Sequence, residues 1–365
     1  MEPSEVVKSS RTPEQLQARL QSWLRETTSD AAATVGPVHS PESNGMSSES
    51  LFFDASWNGE SGSFVARVAP AAEDVPVFQT YDLEKQYRLI SLVAEHSEVP
   101  VPNLAWLERD SAFLDQPFFV MHKVEGRVPP DIPPYAMGGW VRDLSDNDRM
   151  ALQRASVAAV AGVHAIDISD GKADFLELDS TLGDTPLRRH YAAEQAYYEW
   201  TCEGAGRRFP TIERAFDWIE TNWPTDEGRS AICWGDSRIG NIMYANDGVE
   251  PVAVLDWELA TIAPPGLDVG WMCFLHRFFE FVLGKYEIET LPSMLRPEDV
   301  REQYGEVSGV DVGDLRFEMV YTALRHAAIM SRIHVRNVHF GTHEWPDDPD
   351  DAFLFKDLLA ELISD

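Results

Sequence analysis

The chain is short of positive charge, short of cysteine and free of long apolar runs. Six lysines (positions 8, 85, 123, 172, 285 and 356) and 24 arginines face 61 acidic residues, a net charge of −31. A chain this acidic repels phosphate backbones and anionic lipid surfaces, so neither a nucleic acid nor a membrane is expected as a partner. The three cysteines, Cys202, Cys233 and Cys273, are odd in number, widely spaced and form no Cys-x-x-Cys pair. That pattern predicts neither a disulfide framework nor a zinc site, and a reducing, cytoplasmic compartment fits it best. The start, MEPSEVVKSSRTPEQ, lacks the apolar core of a signal peptide. The longest apolar stretch, 151–166, is interrupted by Gln153 and Arg154 and is shorter than a membrane span.

What is present points to a globular chain. Of 365 residues 44% are hydrophobic, and 11 Trp, 10 Tyr and 18 Phe are more rings than a disordered acidic chain carries. The length suits one large domain or two modest ones. Residues 12–24 read as an amphipathic helix, with Thr12 as its cap and Gln15 at the capping-box position. Segments 51–57 and 63–69 read as two strands joined by turn-forming residues. In 82–96, Leu83, Tyr87, Ile90 and Val93 recur at helical spacing. Strand candidates follow at 99–108 and 116–126, and the Pro-rich VPPDIPP at 128–134 breaks the pattern. Beyond it, helical stretches cover 146–166, 186–205 and 211–222. Two β-type runs follow at 231–244 and 251–260, and the chain is mostly helical from about 268 to 335. The expected organisation is a strand-rich first third and a helix-rich remainder with one embedded hairpin.

The chemistry concentrates in Trp234-Gly235-Asp236-Ser237-Arg238-Ile239-Gly240-Asn241. Here an Asp precedes an Asn by five residues, and Asp256 follows fifteen residues later at the end of the apolar run VAVL. Phosphoryl-transfer enzymes of the kinase type need this order. The first Asp accepts or orients the proton of the acceptor hydroxyl, while the Asn and the second Asp hold Mg²⁺ through hard oxygens. A guanidinium at Arg238 can stabilise charge on the transferred phosphoryl group, and the competing reading is a surface Arg paired with a carboxylate. His164 reads as a packed helix residue rather than a catalyst, and Cys233 as a small buried hydrophobe.

These segments resemble the aminoglycoside phosphotransferase-like family, which shares the protein-kinase-like fold. WGDSRIGNIMY is similar to that family's HGDxHxGN loop, and VLDWELATIAPPGLDVGW to its IDWExAxxGDPxxDLA segment. SFVARVAP, LEKQYRLISLV, VPVPNLAW, PFFVMHKVEG and VAGVHAIDI match further family segments in the same order. The resemblance implies an α+β, bilobal fold: an antiparallel-sheet N-lobe over residues 1–124, and a mainly helical C-lobe over 125–365 with the catalytic loop and acceptor pocket. It places Arg67 where kinases carry the phosphate-binding lysine, and Gln86 where a Glu would pair with it, with Asp82 able to substitute. It puts Asn44, Gly45, Ser47 and Ser48 in the phosphate loop, and Met121, His122 and Val124 around the adenine. Asp268 stands at the family's structural Asp, which ties down the catalytic loop. Trp234 takes the place of the usual His and reads as a buried prop.

The implied activity is transfer of phosphate from ATP or GTP to a hydroxyl of a small molecule, with Mg²⁺ on Asn241 and Asp256, Asp236 as base or acceptor-orienting residue, and Arg238 assisting. A cationic acceptor suits the acidic chain. Tyr191, Tyr197, Tyr198, Trp200, Trp218 and Trp271 are candidates to line its pocket. Two alternatives stand beside this. A pseudokinase that binds nucleotide without turnover is motivated by Trp234, Gln86 and the glycine-poor phosphate loop. A protein kinase is disfavoured by the lack of an APE-type segment.

Overall fold

The computed structural model describes residues 12–40, 48–70 and 74–364. The chain divides into two compact units: Met1–Leu92 with Pro102–Val124 and His339–Thr342, and Val93–Val101 with Glu125–Val338 and His343–Asp365.

The first unit is an antiparallel sheet with two helices. Helix α1 (Pro13–Thr27) opens with the expected capping box, in which Thr12 Oγ1 accepts from the Gln15 amide and the Gln15 side chain accepts from the Thr12 amide. Strands β1 (Thr34–Val35), β2 (Glu49–Trp57) and β3 (Glu60–Val68) are followed by α2 (Leu83–His96), β4 (Leu104–Glu108) and β5 (Phe118–His122). The sheet order is β1-β2-β3-β5-β4. The β2–β3 connection is tighter than the sequence suggested, because Asn58 and Gly59 both take positive φ (46° and 83°) and pair Trp57 with Glu60. Such a two-residue turn matches the twist of the strands. Conversely, 99–103 is not strand, since Pro100 and Pro102 lack the N–H a ladder needs. The α1 stripe of Leu16, Leu20, Trp23 and Leu24 packs on Phe53, Phe64 and Phe118 of the sheet. Trp23 meets Phe118 and Trp106 edge-on, at 5.1 and 5.6 Å between ring centres.

The second unit is mainly helical: α3 (Trp140–Asp143), α4 (Asp146–His164), α5 (Pro186–Ala205), α6 (Pro210–Thr221), α7 (Gly266–Gly284), α8 (Pro297–Ser308), α9 (Arg316–His339) and α10 (Lys356–Leu362). Ser145 and Thr185 cap α4 and α5, and prolines occupy the first turns of α5, α6 and α8. The two β-type runs do not form one simple hairpin. Each splits in two, into β6 (Ala231–Cys233) and β7 (Ile242–Tyr244), then β8 (Pro251–Val254) and β9 (Thr261–Ala263). β7 pairs with β8, and β6 with β9 outside them. The nesting leaves residues 234–241 and 255–260 as two loops at the same end of the paired strands. Among the described residues, no helix is long and apolar enough to cross a membrane.

Candidate active site

The loop after β6 is tied down at several points of its backbone. Gly235 has φ +89°, and a Cβ there would come within 2.2 Å of the Leu259 carbonyl oxygen, so only glycine fits. Asp268, in the first turn of α7 and 1% exposed, receives the Trp234 and Gly235 amides on its two carboxylate oxygens at 2.6 and 2.8 Å. His164 Nε2 sits 3.0 Å from the same carboxylate, with its Nδ1 2.9 Å from the Tyr304 hydroxyl. Ser237 Oγ donates to the Asp268 carbonyl at 2.7 Å. Arg325 of α9 donates to the Gly235 carbonyl at 3.0 Å and pairs with the nearly buried Glu194 at 2.9 Å. Burial pushes the Glu194 carboxyl up, and Arg325 opposes that.

Trp234 is the prop the sequence suggested. It is fully buried and packs on Trp257, and its indole N–H lies 2.9 and 3.0 Å from the carbonyls of Leu255 and Asp256. Asp256 needs such a support. Its φ is +60°, a left-handed conformation that costs a non-glycine residue on the order of 1 kcal/mol. The indole thus does two things: it fills the space under the loop and fixes the backbone that presents Asp256.

Asp236 is held from three sides. Trp271 Nε1 donates to Oδ1 at 2.7 Å, Asn241 Nδ2 donates to Oδ2 at 2.7 Å, and Arg238 Nε lies 3.2 Å from Oδ1. The Asn241 amide nitrogen also reaches the Asp236 carbonyl at 3.1 Å, so both of these bonds are made by the nitrogen and neither uses its amide oxygen. The Leu255 amide donates to the Asn241 carbonyl at 2.9 Å, so the loop carrying Asn241 and the loop carrying Asp256 are joined. An amide oxygen and a carboxylate are hard donors of the kind Mg²⁺ takes, so the donor set of Asn241 and Asp256 fits such an ion. Arg238 is nearly buried and pairs with Asp131 as well as Asp236. Burial alone would lower its pKa, but the charges of Asp236, Asp131 and Asp256 outweigh it and the guanidinium is held above its ordinary value.

In the other unit, Arg67 lies on β3 opposite Ser50, whose hydroxyl accepts from its Nη1 at 2.9 Å. Asp82 does not substitute for the missing Glu. Its carboxylate accepts the Lys85 amide at 2.8 Å and caps α2, as a short side chain at a helix start does. Gln86 is buried. Met121 is half-buried on β5 and His122 is exposed at its end. The His122 amide is spent on the Asn103 carbonyl at 2.8 Å, whereas the Val124 amide has no partner among the described residues. Ser48 is buried and its hydroxyl lacks a partner among the described residues. Asn44, Gly45 and Ser47 lie outside the described residues.

Two of the aromatic residues expected in an acceptor pocket belong to the core instead. Tyr191 and Tyr198 are 3% and 2% exposed and donate to the carbonyls of Phe216 and Phe209. Trp271, by contrast, touches the catalytic loop, donating to Asp236. Asp131, Arg325 and Glu194 went unrecognised in the sequence. They stand far from the loop in sequence, in stretches with no motif. For His164 there was a signal: an ionisable ring on an apolar helix face needs a buried partner. Among the described residues, one further group could hold a metal, His164 with Cys233 and Asp268, all buried with donor atoms within 4.8 Å. Its donors are already spent. Besides the bonds to Asp268 and His164 given above, the Cys233 thiol faces the carbonyls of Ala263 and Pro264, and burial holds its pKa well above the ordinary thiol value.

A buried Asp clamping the backbone of a loop that carries Asp-x4-Asn, followed by a strand and a second Asp, defines a kinase-like phosphotransferase site on a protein-kinase-like fold. Residues 46–297 match the model of the phosphotransferase enzyme family (APH), and the chain belongs to that family. It is similar to a candidate aminoglycoside phosphotransferase from Ralstonia eutropha JMP134, with a TM-score of 0.64, 21% identity, and coverage of 95% of this chain and 96% of that one. It is also similar to the aminoglycoside phosphotransferase APH(4)-Ia, solved in ternary complex with AMP-PNP and hygromycin B (TM-score 0.55, 16% identity, 94% and 98% covered). Among curated proteins it is 25% identical over 288 residues to acyl-CoA dehydrogenase family member 10 of Mus musculus, covering 75% of this chain and 24% of that protein. The chain therefore spans about a quarter of that relative's length.

Proposed function

We propose that this chain transfers the γ-phosphoryl group of ATP or GTP to a hydroxyl of a small molecule. The observation that carries the reading is the Asp236 carboxylate, fixed by Trp271 and Asn241 beside the nearly buried Arg238 guanidinium. Residues 1–124 would hold the nucleotide, through Arg67, the loop of Asn44, Gly45, Ser47 and Ser48, and the segment of Met121, His122 and Val124. Residues 125–365 would carry catalysis and the acceptor. Asn241 and Asp256 would hold Mg²⁺, which when bound neutralises phosphate charge and orients the nucleotide.

In the reaction the acceptor oxygen forms a bond to the γ-phosphorus as the bond from that phosphorus to the β,γ-bridging oxygen breaks. ADP or GDP leaves with the electron pair, and the hydroxyl proton passes to Asp236. With its lone pairs already engaged, Asp236 is better suited to orient the hydroxyl than to pull its proton off early, and alignment supplies most of the acceleration. Arg238 would meet charge building on the phosphoryl oxygens. A cationic acceptor finds three carboxylates here, Asp131, Asp236 and Asp256, against one guanidinium. The pseudokinase alternative loses one of its motives, because Trp234 supports the loop rather than disrupting it.

The test is a screen for acceptors that gain the mass of one phosphate, with Mg²⁺ and ATP or GTP. The panel should span aminoglycosides, amino alcohols and hydroxyacyl thioesters, given hygromycin B in one neighbour and the acyl-CoA dehydrogenase name of the curated relative. Asp236→Ala is expected to lower turnover at least about 10³-fold while nucleotide still binds. If wild type and variant are equally stabilised by nucleotide and neither consumes it with any acceptor, the chain is a binding protein.

A further inference from the structure

Arg238 is anchored at two of its three nitrogens. Nε faces Asp236, 3.2 Å from Oδ1 and 3.4 Å from Oδ2, and Nη1 donates to Oδ2 of Asp131, which lies 107 residues earlier in the Pro-rich segment. The remaining nitrogen, Nη2, with two N–H donors, has no partner among the described residues. Gly240 makes the arrangement possible. A Cβ there would run into Arg238 Nη1 and come within 2.9 Å of Asp131 Oδ1. Without Asp131 the guanidinium would have one carboxylate in reach of its fork, and fork-on-carboxylate pairing is the geometry Arg prefers. It would then fold onto Asp236 with two nitrogens, turn Nη2 inward and occupy the carboxylate oxygens the acceptor hydroxyl needs.

We infer that Asp131 is a positioning residue that holds the Arg238 guanidinium off Asp236 and aims Nη2 at the γ-phosphate of the bound nucleotide. This rests on the phosphotransferase reading above and adds to it a residue no motif contains. Asp131 acts through Arg238 and need not touch the nucleotide. Its carboxylate is over a third exposed, so replacing it removes little packing.

The experiment measures binding, so that it does not depend on finding the acceptor. Affinities for Mg²⁺-AMP-PNP and Mg²⁺-ADP are measured by calorimetry for wild type, Asp131→Ala, Asp131→Asn, Arg238→Ala and the double alanine variant. The ratio of the two affinities isolates the contribution of the γ-phosphate. Asp131→Ala and Arg238→Ala should each lower that ratio by about fivefold or more, with ADP affinity within about twofold of wild type. The double variant should be no worse than Arg238→Ala alone, the mark of two residues acting through one contact. Asp131→Asn keeps an oxygen to accept from Nη1 and should recover most of the ratio. An unchanged ratio in Asp131→Ala or in Arg238→Ala, or additive losses in the double variant, overturns the inference while leaving the phosphotransferase reading intact. If wild type binds neither nucleotide, that reading falls and takes the inference with it.

Discussion

The two units hold their key residues in place by opposite means. In the sheet unit, Trp23, Phe53, Phe64 and Phe118 interlock in a core with ring centres 5–6 Å apart. Such contacts are non-directional and tolerate exchange of similar volumes. In the helical unit the catalytic loop is held by directed polar bonds: Asp268 to two amides, Arg325 to a carbonyl, and Trp234 to the carbonyls beside Asp256. Apolar packing decides that a sheet forms. Setting a carboxylate to within a few tenths of an ångström takes hydrogen bonds, which are costly to leave half-made.

The contrast can be broken most sharply at Asp268. Asp268→Ala leaves two buried amides and His164 without their acceptor, and should cost about 3–5 kcal/mol of stability and abolish turnover. Phe64→Leu in the sheet core should cost about 1.5 kcal/mol or less, with turnover kept. Equal losses in denaturant unfolding would mean that the loop is not held by its polar bonds. Next in size is Trp271→Phe, which keeps an aromatic ring but removes the donor to Asp236 Oδ1. It should lower kcat about 10–100-fold, with nucleotide KM nearly unchanged and little loss of stability. An unchanged kcat would show that Asn241 and Arg238 suffice to orient the carboxylate.

The remaining test is a pH dependence. His326 is buried among Trp271, Phe274, Phe278 and Phe355, and His276 beneath Tyr135, and burial lowers their pKa values to about 3 and about 4. Both are neutral in the fold, while the unfolded chain takes up protons near pH 6.5. Their contribution to stability is complete above pH 6.5 and is lost as pH falls towards 3–4, on the order of 3 kcal/mol per histidine over that window. The melting temperature should therefore drop on acidification between pH 6.5 and 4, and less steeply in His326→Phe. A slope identical to that of wild type would show that His326 does not stay neutral.

Legibility in the sequence followed the length scale of each feature. The α1 capping box and the neighbouring pair Asp236 and Asn241 both involve residues a few positions apart, and backbone geometry links such neighbours directly. The nested pairing of β6 with β9 around β7 and β8 was not legible, because periodicity marks a run as strand without naming its partner. Nor were the aromatic roles. Tyr191, Tyr198 and Trp271 look alike in composition, yet two fill the core and one donates to the catalytic carboxylate.

The sequence by itself determined the family, the α+β class and the order of chemical groups along the catalytic loop, since spacing within a loop is a property of the covalent chain. Tertiary structure alone decided what holds that loop. Asp131, Trp271 and Arg325 lie 107, 35 and 90 residues from the groups they contact. They meet those groups only once the helices are packed, because a hydrogen bond acts over about 3 Å of space and is blind to distance along the chain.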